Sequence, residues 1–485
     1  MSSCQNKKGI NARIYQTSKD GDRFVLVENQ SIHNFAVEIE ILPDEKHQII
    51  EGFGGSFTEA SSHLLQSLSD EKRQLILNAY FGDEGARYSL TRTHIGSCDF
   101  SLSNYSYAPI SNDTQLLSFS IDHDRIDIIP TIKAAQRISS EGFKIISSPW
   151  TAPPWMKDNQ DWKGGKLLPQ FYEVWANYFL RYFEEYKKEG IDIWGITVEN
   201  EPLGNDNNWE SMHFSPEEMV KFVKEYLGPK VRKNYPEIQI LGYDQNRNEE
   251  MKLWADAMYL EGNSDYFDGI ALHWYASTYD YFPKALDYLY EKAPEKLIIQ
   301  TEACIDAEIP VWQNDEWYWL EEATDWGFDW APENQKYLHP KYAPVNRYAQ
   351  DIIGCLNHNV NGWIDWNMVL DKQGGPNWAK NWCIAPVIVD TVADEVYFTP
   401  LYEVMKHFSK FIRPGAQRIG FKVNSQEINL TAAQNTDGSI VVVIFNPNAQ
   451  NRSISLKLGS KNLTFQIKAN SLQTIVIEQD KSNIT

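Results

Sequence analysis

The amino-acid sequence predicts a (β/α)8 TIM barrel that carries a discontinuous all-β sandwich as a side domain. Three observations lead there. Eight apolar segments recur through the middle of the chain, separated mostly by amphipathic stretches, the pattern of a parallel sheet closed by crossover helices. Two of those segments end in a glutamate, and barrel folds keep reactive groups at the C-terminal ends of their strands. Beyond about Pro414, short alternating runs are broken by turn signals such as Asn435-Thr-Asp-Gly438 and Asn446-Pro-Asn448, as in a small sandwich. A chain of 485 residues is long for one domain and suits a large barrel with a satellite.

In chain order, residues 1–12 are polar and read as a tether. Residues 13–43 are strand-like, and 35–42 alternates in its second half as a half-buried strand does. These strands have no local partners. They are expected to join residues 415–485 in one side domain, which leaves 44–414 for the barrel. Barrel strands are predicted over 48–53, 88–95, 143–148, 191–198, 238–243, 268–274, 297–301 and 362–366. The helices between them carry their own signals. Ser69 can cap the run that stops at Gly82, and Ser215-Pro-Glu-Glu218 offers a cap, a first-turn proline and an acid three residues on. Over 171–189, Trp175, Tyr178, Phe179, Tyr182, Phe183 and Tyr186 recur at helical spacing before Gly190, a face that packs on a sheet. After the seventh strand comes a long aromatic segment with Trp312, Trp317, Tyr318, Trp319, Trp326, Phe328, Trp330 and Tyr337. It reads either as a packed cover on the barrel rim or as a wall of the cleft, with at least one tryptophan expected to border substrate.

Composition narrows the function. Some 42% of the chain is hydrophobic, ample for a core, and the formal net charge is -21. Phosphates would be repelled, so a nucleic-acid partner is excluded and the substrate is expected to be neutral. The 17 Trp, 25 Tyr and 22 Phe supply flat faces on which sugar rings can stack, besides serving the core. No apolar run reaches the ~18 residues of a membrane span. The five cysteines are odd in number and sparse, which implies neither a disulfide framework nor a zinc site. Cys304, two residues past Glu302, reads as a packing residue, or as a thiol open to alkylation if exposed. The start Met1-Ser-Ser-Cys4 with its polar, basic continuation has two readings: a cytoplasmic N-terminus, or the mature end of a periplasmic or surface lipoprotein anchored at Cys4.

The chemistry centres on Ile196-Thr-Val-Glu-Asn-Glu-Pro202 and Leu297-Ile-Ile-Gln-Thr-Glu302. Pro202 cannot donate to a ladder and stops the first stretch, so Glu201 and Glu302 end strands four and seven and face each other across the barrel mouth. A retaining glycosidase needs an acid, kept protonated by its surroundings, and a nucleophilic carboxylate about 5–5.5 Å away. Asn200 could donate to a sugar 2-OH. The chemistry calls for carboxylates and water, no cofactor, and no His, Cys, Asp or Glu cluster has metal-ligand spacing along the chain.

Further motifs run through nearly the whole chain: Glu51-Gly-Phe-Gly-Gly-Ser-Phe-Thr-Glu59, Ser97-Cys-Asp-Phe-Ser101, Ser148-Pro-Trp-Thr-Ala-Pro-Pro-Trp155, Asn200-Glu-Pro202, His273-Trp-Tyr275, Thr301-Glu-Ala-Cys304, Asp365-Trp-Asn367 and Gly374-Gly-Pro-Asn-Trp378. Together and in this order they resemble glycoside hydrolase family 30, the glucosylceramidase-containing family. The resemblance implies Glu201 as acid/base and Glu302 as nucleophile, with Asn200 on the 2-OH. It implies that Asp99 and Trp150 hold hydroxyls on the far side of the ring, that Trp366 and Asn377 close the pocket, and that Arg92 and Tyr275 steer the nucleophile. His273 would support the site, or be a satisfied core histidine at a strand end; Arg92 has a second reading as a barrel ion-pair residue. The implied substrate is a β-glucoside, glycolipid or glucan, cleaved by an exo-acting glucosylceramidase-type β-glucosidase or by an endo-β-1,6-glucanase. A β-xylosidase or β-fucosidase stands behind these. So does a non-catalytic carbohydrate-binding barrel, which would be expected to have lost a carboxylate. The aromatic segment and residues 203–214 are expected to shape the aglycone side.

Overall fold

The computed structural model describes residues 10–28, 35–306, 309–324 and 331–478. Eight parallel strands, Gly52–Phe57, Leu90–Ile95, Lys144–Pro149, Gly195–Thr197, Gln239–Asn246, Gly269–His273, Leu297–Glu302 and Gly362–Asn367, pair in chain order, and the last closes on the first. The strands read as unbroken apolar runs because both faces are covered. Ile146, Leu241, Ala271 and Ile299 fill the barrel interior with Leu90 and Ile364, while their neighbours Ile145, Ile240, Ile270 and Ile298 point out to the helices.

The first barrel strand begins four residues later than the sequence suggests. His47 to Ile49 finish a long strand, Val37–Ile49, of the other sheet, so that strand runs past position 43. The chain changes sheets at Ile50 and Glu51, whose amides donate to Ala416 and Asn361 carbonyls, both at 2.7 Å. Gly52 completes the switch at φ +143°, where a Cβ would strike Ser89 and Leu90.

That other sheet has nine strands, ordered Val25–Val27, Ala12–Ser18, Ser471–Ile477, Ile440–Asn446, Asn429–Gln434, Gln417–Val423, Val37–Ile49, Arg452–Leu458 and Lys461–Ile467. Val37–Ile49 lies between two C-terminal strands, and Ala12–Ser18 joins Val25–Val27 at the edge to Ser471–Ile477, so the unit is built from both ends of the chain. Along Ile440–Asn446, Ile440, Val442 and Ile444 face the interior of the side domain, while Val441, Val443 and Phe445 join the barrel core. At the same junction the His407 ring lies between the Thr474 and Thr17 hydroxyls at 2.8 and 2.9 Å.

Ser69 caps Asp70–Phe81, and Ser215 with Glu218 forms a full capping box on Pro216–Phe222. The seven aromatics of Tyr172–Lys188, Tyr172 and the six at helical spacing, are all buried. The segment after the seventh strand folds into short 3-10 turns, Asp315–Trp319, Glu321–Thr324 and Lys336–Leu338. Asp315 joins Arg23 and the Tyr397 hydroxyl, and Tyr318 and Trp319 are buried in the core, so this part covers the rim. Trp326, Phe328 and Trp330 lie outside the described residues, as does Cys4. Among the described residues no helix is long and apolar enough to cross a membrane.

Candidate active site

At the C-terminal mouth of the barrel a cleft of about 380 Å³ is lined by Asp99, Trp150, Asn200, Glu201, Tyr275, Glu302 and Trp366, with Asn208, Trp209, Asn246, Cys304, Asn381 and Cys383. Strand ends bring these groups together, and there the ladders become irregular. Register shifts fall between Gln300 and Glu302, between Ile364 and Asn367, and between Tyr243 and Gln245. Such breaks re-aim side chains. The fourth strand ends at Thr197, short of Pro202, and Glu201 sits in the turn beyond it at φ +47°. Its amide donates to the Asp244 carbonyl at 2.9 Å, which holds the strained turn in place.

A carboxylate oxygen of Glu201, one of Glu302 and a ring nitrogen of His273 lie within 4.8 Å of one another. Glu302 is held from two sides: Arg92 Nη1 donates to Oε2 at 2.5 Å and the Tyr275 hydroxyl to Oε1 at 3.0 Å. Arg92 is fully buried and donates also to Asn200 Oδ1, Asp244 Oδ2 and Ser148 Oγ, at 2.8, 2.7 and 3.0 Å. Its guanidinium lies 4.9 Å from the Trp150 ring, which stacks on Trp366 with centroids 5.2 Å apart. Committing Asn200 Oδ1 to Arg92 leaves the Asn200 amide to donate into the cleft.

His273 contacts Glu201 through Nδ1 and Asp244 through Nε2, both at 3.1 Å. Burial disfavours its charge, but Glu302 and Asp244 outweigh burial and raise its pKa to about 9. These neighbours favour the charged ring, in which both nitrogens donate, one to Glu201 and one to Asp244. Spacing along the chain conceals this three-residue cluster, because its members come from three strand ends. Burial works against the Asp244 charge too. Arg92 and His273 prevail and hold that carboxyl well below its ordinary value. Burial raises Glu302, and Glu201 adds to the rise, while His273 and Arg92 oppose it. Glu201 is the more open of the pair, its side chain 18% exposed against 9% for Glu302.

Two cleft residues carry a buried polar atom with no protein partner among the described residues: Asp99 Oδ1 and Trp366 Nε1. Leaving such atoms unpaired costs about 1–3 kcal/mol each, which a bound hydroxyl would recover. Burial and then the Glu302 charge push the Asp99 carboxyl well above its ordinary value. Asp99 Oδ2 accepts from Asn381, at 3.0 Å.

Of the expected residues, Asp99, Trp150, Asn200, Glu201, Tyr275, Glu302 and Trp366 line the cleft. Arg92 and His273 lie beneath it in the network. Asn377 does not reach it. Its side chain instead grips the backbone of Asn381, which lines the wall in its place. The two asparagines share one turn, and only the fold tells which faces inward. No described tryptophan of the aromatic segment borders the cleft; Trp209, in the loop over 203–214, does. Asp244 is a further site residue that strand ends do not reveal, because it lies inside the fifth barrel strand, Gln239–Asn246, two residues before its end. Thr197 and Thr301 complete its shell, each hydroxyl at 2.6 Å.

Comparison with known proteins gives the family. The family model for the glycosyl hydrolase family 30 TIM-barrel domain matches residues 50–316 and 327–412, and that for the family 30 beta sandwich domain matches 415–475. Putative glucosylceramidase 3 of Caenorhabditis elegans is 33% identical over 97% of this chain and 89% of its own length. Lysosomal acid glucosylceramidase of Mus musculus is 32% identical over 88% and 80%. Among solved structures, the endo-beta1,6-glucanase BT3312 superposes with a TM-score of 0.81 at 26% identity, covering 96% of this chain and 100% of its own. The chain is a glycoside hydrolase and belongs to glycosyl hydrolase family 30.

Proposed function

We propose that this enzyme is a retaining β-glucosidase of the glucosylceramidase type, acting by double displacement with Glu302 as nucleophile and Glu201 as acid/base. One observation carries the reading: the carboxylate oxygens approach within 4.8 Å, too close to seat the water that an inverting pair at about 6.5–9.5 Å accommodates.

A terminal glucose fits the buried end of the cleft. Asp99 Oδ1 and Trp366 Nε1 take ring hydroxyls, Trp150 supplies an apolar face, and the Asn200 amide donates to the 2-OH. Arg92 and Tyr275 hold Glu302 so that one oxygen meets the anomeric carbon. As that C–O bond forms, the bond to the aglycone oxygen breaks and Glu201 gives that oxygen its proton. Water then enters, Glu201 takes its proton, and the water oxygen displaces Glu302, restoring the β anomer. His273 keeps Glu201 oriented through both displacement steps.

The aglycone would lie toward the open side, where Asn208 is exposed and Trp209, Asn246 and Tyr275 are half-buried. This division supports a terminal sugar over an internal one. The structural likeness to an endo-β1,6-glucanase favours a second reading in which the open side holds further glucose units. Rates on glucosylceramide, linear β-1,6-glucan and short β-glucosides, compared side by side, separate the two. Glucose released from chain ends or ceramide supports the first, internal cleavage of the glucan the second. Proton NMR of the first-formed sugar should show the β anomer; an α anomer would refute double displacement.

A further inference from the structure

The cleft holds a sulfur pair that the glycosidic reaction does not use. Cys304 and Cys383 both line it, and their Sγ atoms are 2.8 Å apart. A two-stranded antiparallel ribbon brings them together, with Ile305 opposite Ile384 and Asp306 opposite Cys383. A disulfide requires the sulfurs at about 2.03–2.05 Å, so a shift of less than an ångström closes it. Both are nearly buried, 3% and 2% exposed, and the cleft is the route by which a small oxidant reaches them. Cys98 contacts Ser101, and Cys355 contacts Arg247. The pair also touches the catalytic machinery. The Tyr275 hydroxyl that donates to Glu302 lies 3.5 Å from Cys304 Sγ.

We propose that Cys304 and Cys383 form a reversible modification site, closed to a disulfide by a two-electron oxidant such as hydrogen peroxide, and that the closed form hydrolyses glycosides more slowly. One thiolate attacks a peroxide oxygen, the O–O bond breaks, and a sulfenic acid and water result. The second thiol attacks that sulfur and expels a second water, so two thiols and one peroxide give one disulfide and two waters. As Cys304 turns toward Cys383, its contact with the Tyr275 hydroxyl is lost and one of the two donors on Glu302 is displaced. The slowing rests on the reading of Glu302 as nucleophile; the cross-link does not.

The test uses the full chain, reduced and then exposed to hydrogen peroxide, with peptide mass analysis beside the rate on an aryl β-glucoside. A peptide joining Cys304 to Cys383, lighter by two hydrogens, should appear as kcat falls about tenfold, the factor carried by one lost hydrogen bond to a charged group. Dithiothreitol should reverse both, and Cys383→Ser should abolish the linked peptide together with the reversible part of the loss. Oxidation without a linked peptide, or a linked peptide with unchanged kcat, overturns the proposal. The rate of reduced Glu302→Gln tests the assignment of Glu302 separately, so the two failures are told apart.

Discussion

At the scale of the residue, the two glutamates are distinguished by what holds them. Glu302 has two donors fixed on it, whereas Glu201 has the His273 ring and partial exposure. Glu201→Gln should therefore lower kcat by ~10²–10⁴ on an alkyl glucoside, whose leaving oxygen needs a proton. On a nitrophenyl glucoside the first step should survive and the covalent intermediate should accumulate as a burst. Glu302→Gln should abolish turnover of both substrates without a burst, and unchanged activity in that variant would remove it as nucleophile. His273 gives a pH signature. Its pKa is about 9 in the fold against 6.5 for an ordinary histidine, so its contribution to stability is complete below about pH 6.5 and is lost as the pH rises through 9. The shift corresponds to about 3 kcal/mol. Urea midpoints should therefore fall between pH 6 and pH 10 in the native protein and fall less in His273→Gln. The groups that face the ring are Glu201, Asp244 and Glu302, with Arg92 across from them. Asp244 has the opposite sign. Its carboxyl is held low, so the stability it adds is present at neutral pH and lost only in acid. Asp244→Asn leaves the buried Arg92 and His273 undercompensated and should cost about 3–5 kcal/mol in denaturant unfolding.

At the scale of the element, strand ends and the loops after them set the chemistry and the specificity. Glu201, Tyr243 and Asp244 all have positive φ, at 47°, 70° and 52°, although none is glycine. Strain of this kind is stored where the surrounding structure overdetermines the backbone. The loop over 203–214 begins in the Glu201 turn and returns to the Ser215 cap, and it carries Trp209 into the cleft mouth. Trp209→Ala should raise KM for substrates with an extended aglycone by about tenfold, the worth of one stacked sugar or lipid contact of about 1–1.5 kcal/mol. Rates on a small methyl glucoside should change much less. Equal losses on both substrates would show that the tryptophan supports the loop and does not meet the aglycone.

At the scale of the whole molecule, one face of the side-domain sheet packs into the barrel core, while the other face has a cluster of its own. Val441, Val443, Phe445 and Leu472 pack into the same cluster as the barrel helices, and His407 ties the junction to Thr17 and Thr474. Burial pushes the His407 pKa down to about 3, so it stays a neutral bridge between two hydroxyls. The two units should therefore unfold together. Phe445→Ala, at the junction, should cost about 3–5 kcal/mol and should lower the midpoint of activity loss and that of the side-domain signal in step. Two separated transitions would mean that the shared core does not couple them.

The barrel was legible because its strands are buried on both faces and so stand out as apolar runs, and because an acid at the end of such a run has little structural reason to be there. That logic singles out Glu201 and Glu302, whereas Asp244 lies inside the fifth strand and escapes it. The resemblance supplied most of the remaining pocket, and a turn of five residues was enough to exchange Asn377 for Asn381. The sequence by itself determined which segments are strands, which glutamates are candidates for chemistry, and that a sugar is a suitable substrate for an acidic, aromatic-rich chain. Only the tertiary structure decided the distance between the two carboxylates, the charge on His273 and the meeting of Cys304 with Cys383. Each of these depends on groups that are far apart along the chain and are brought within a few ångströms when the sheet closes on itself.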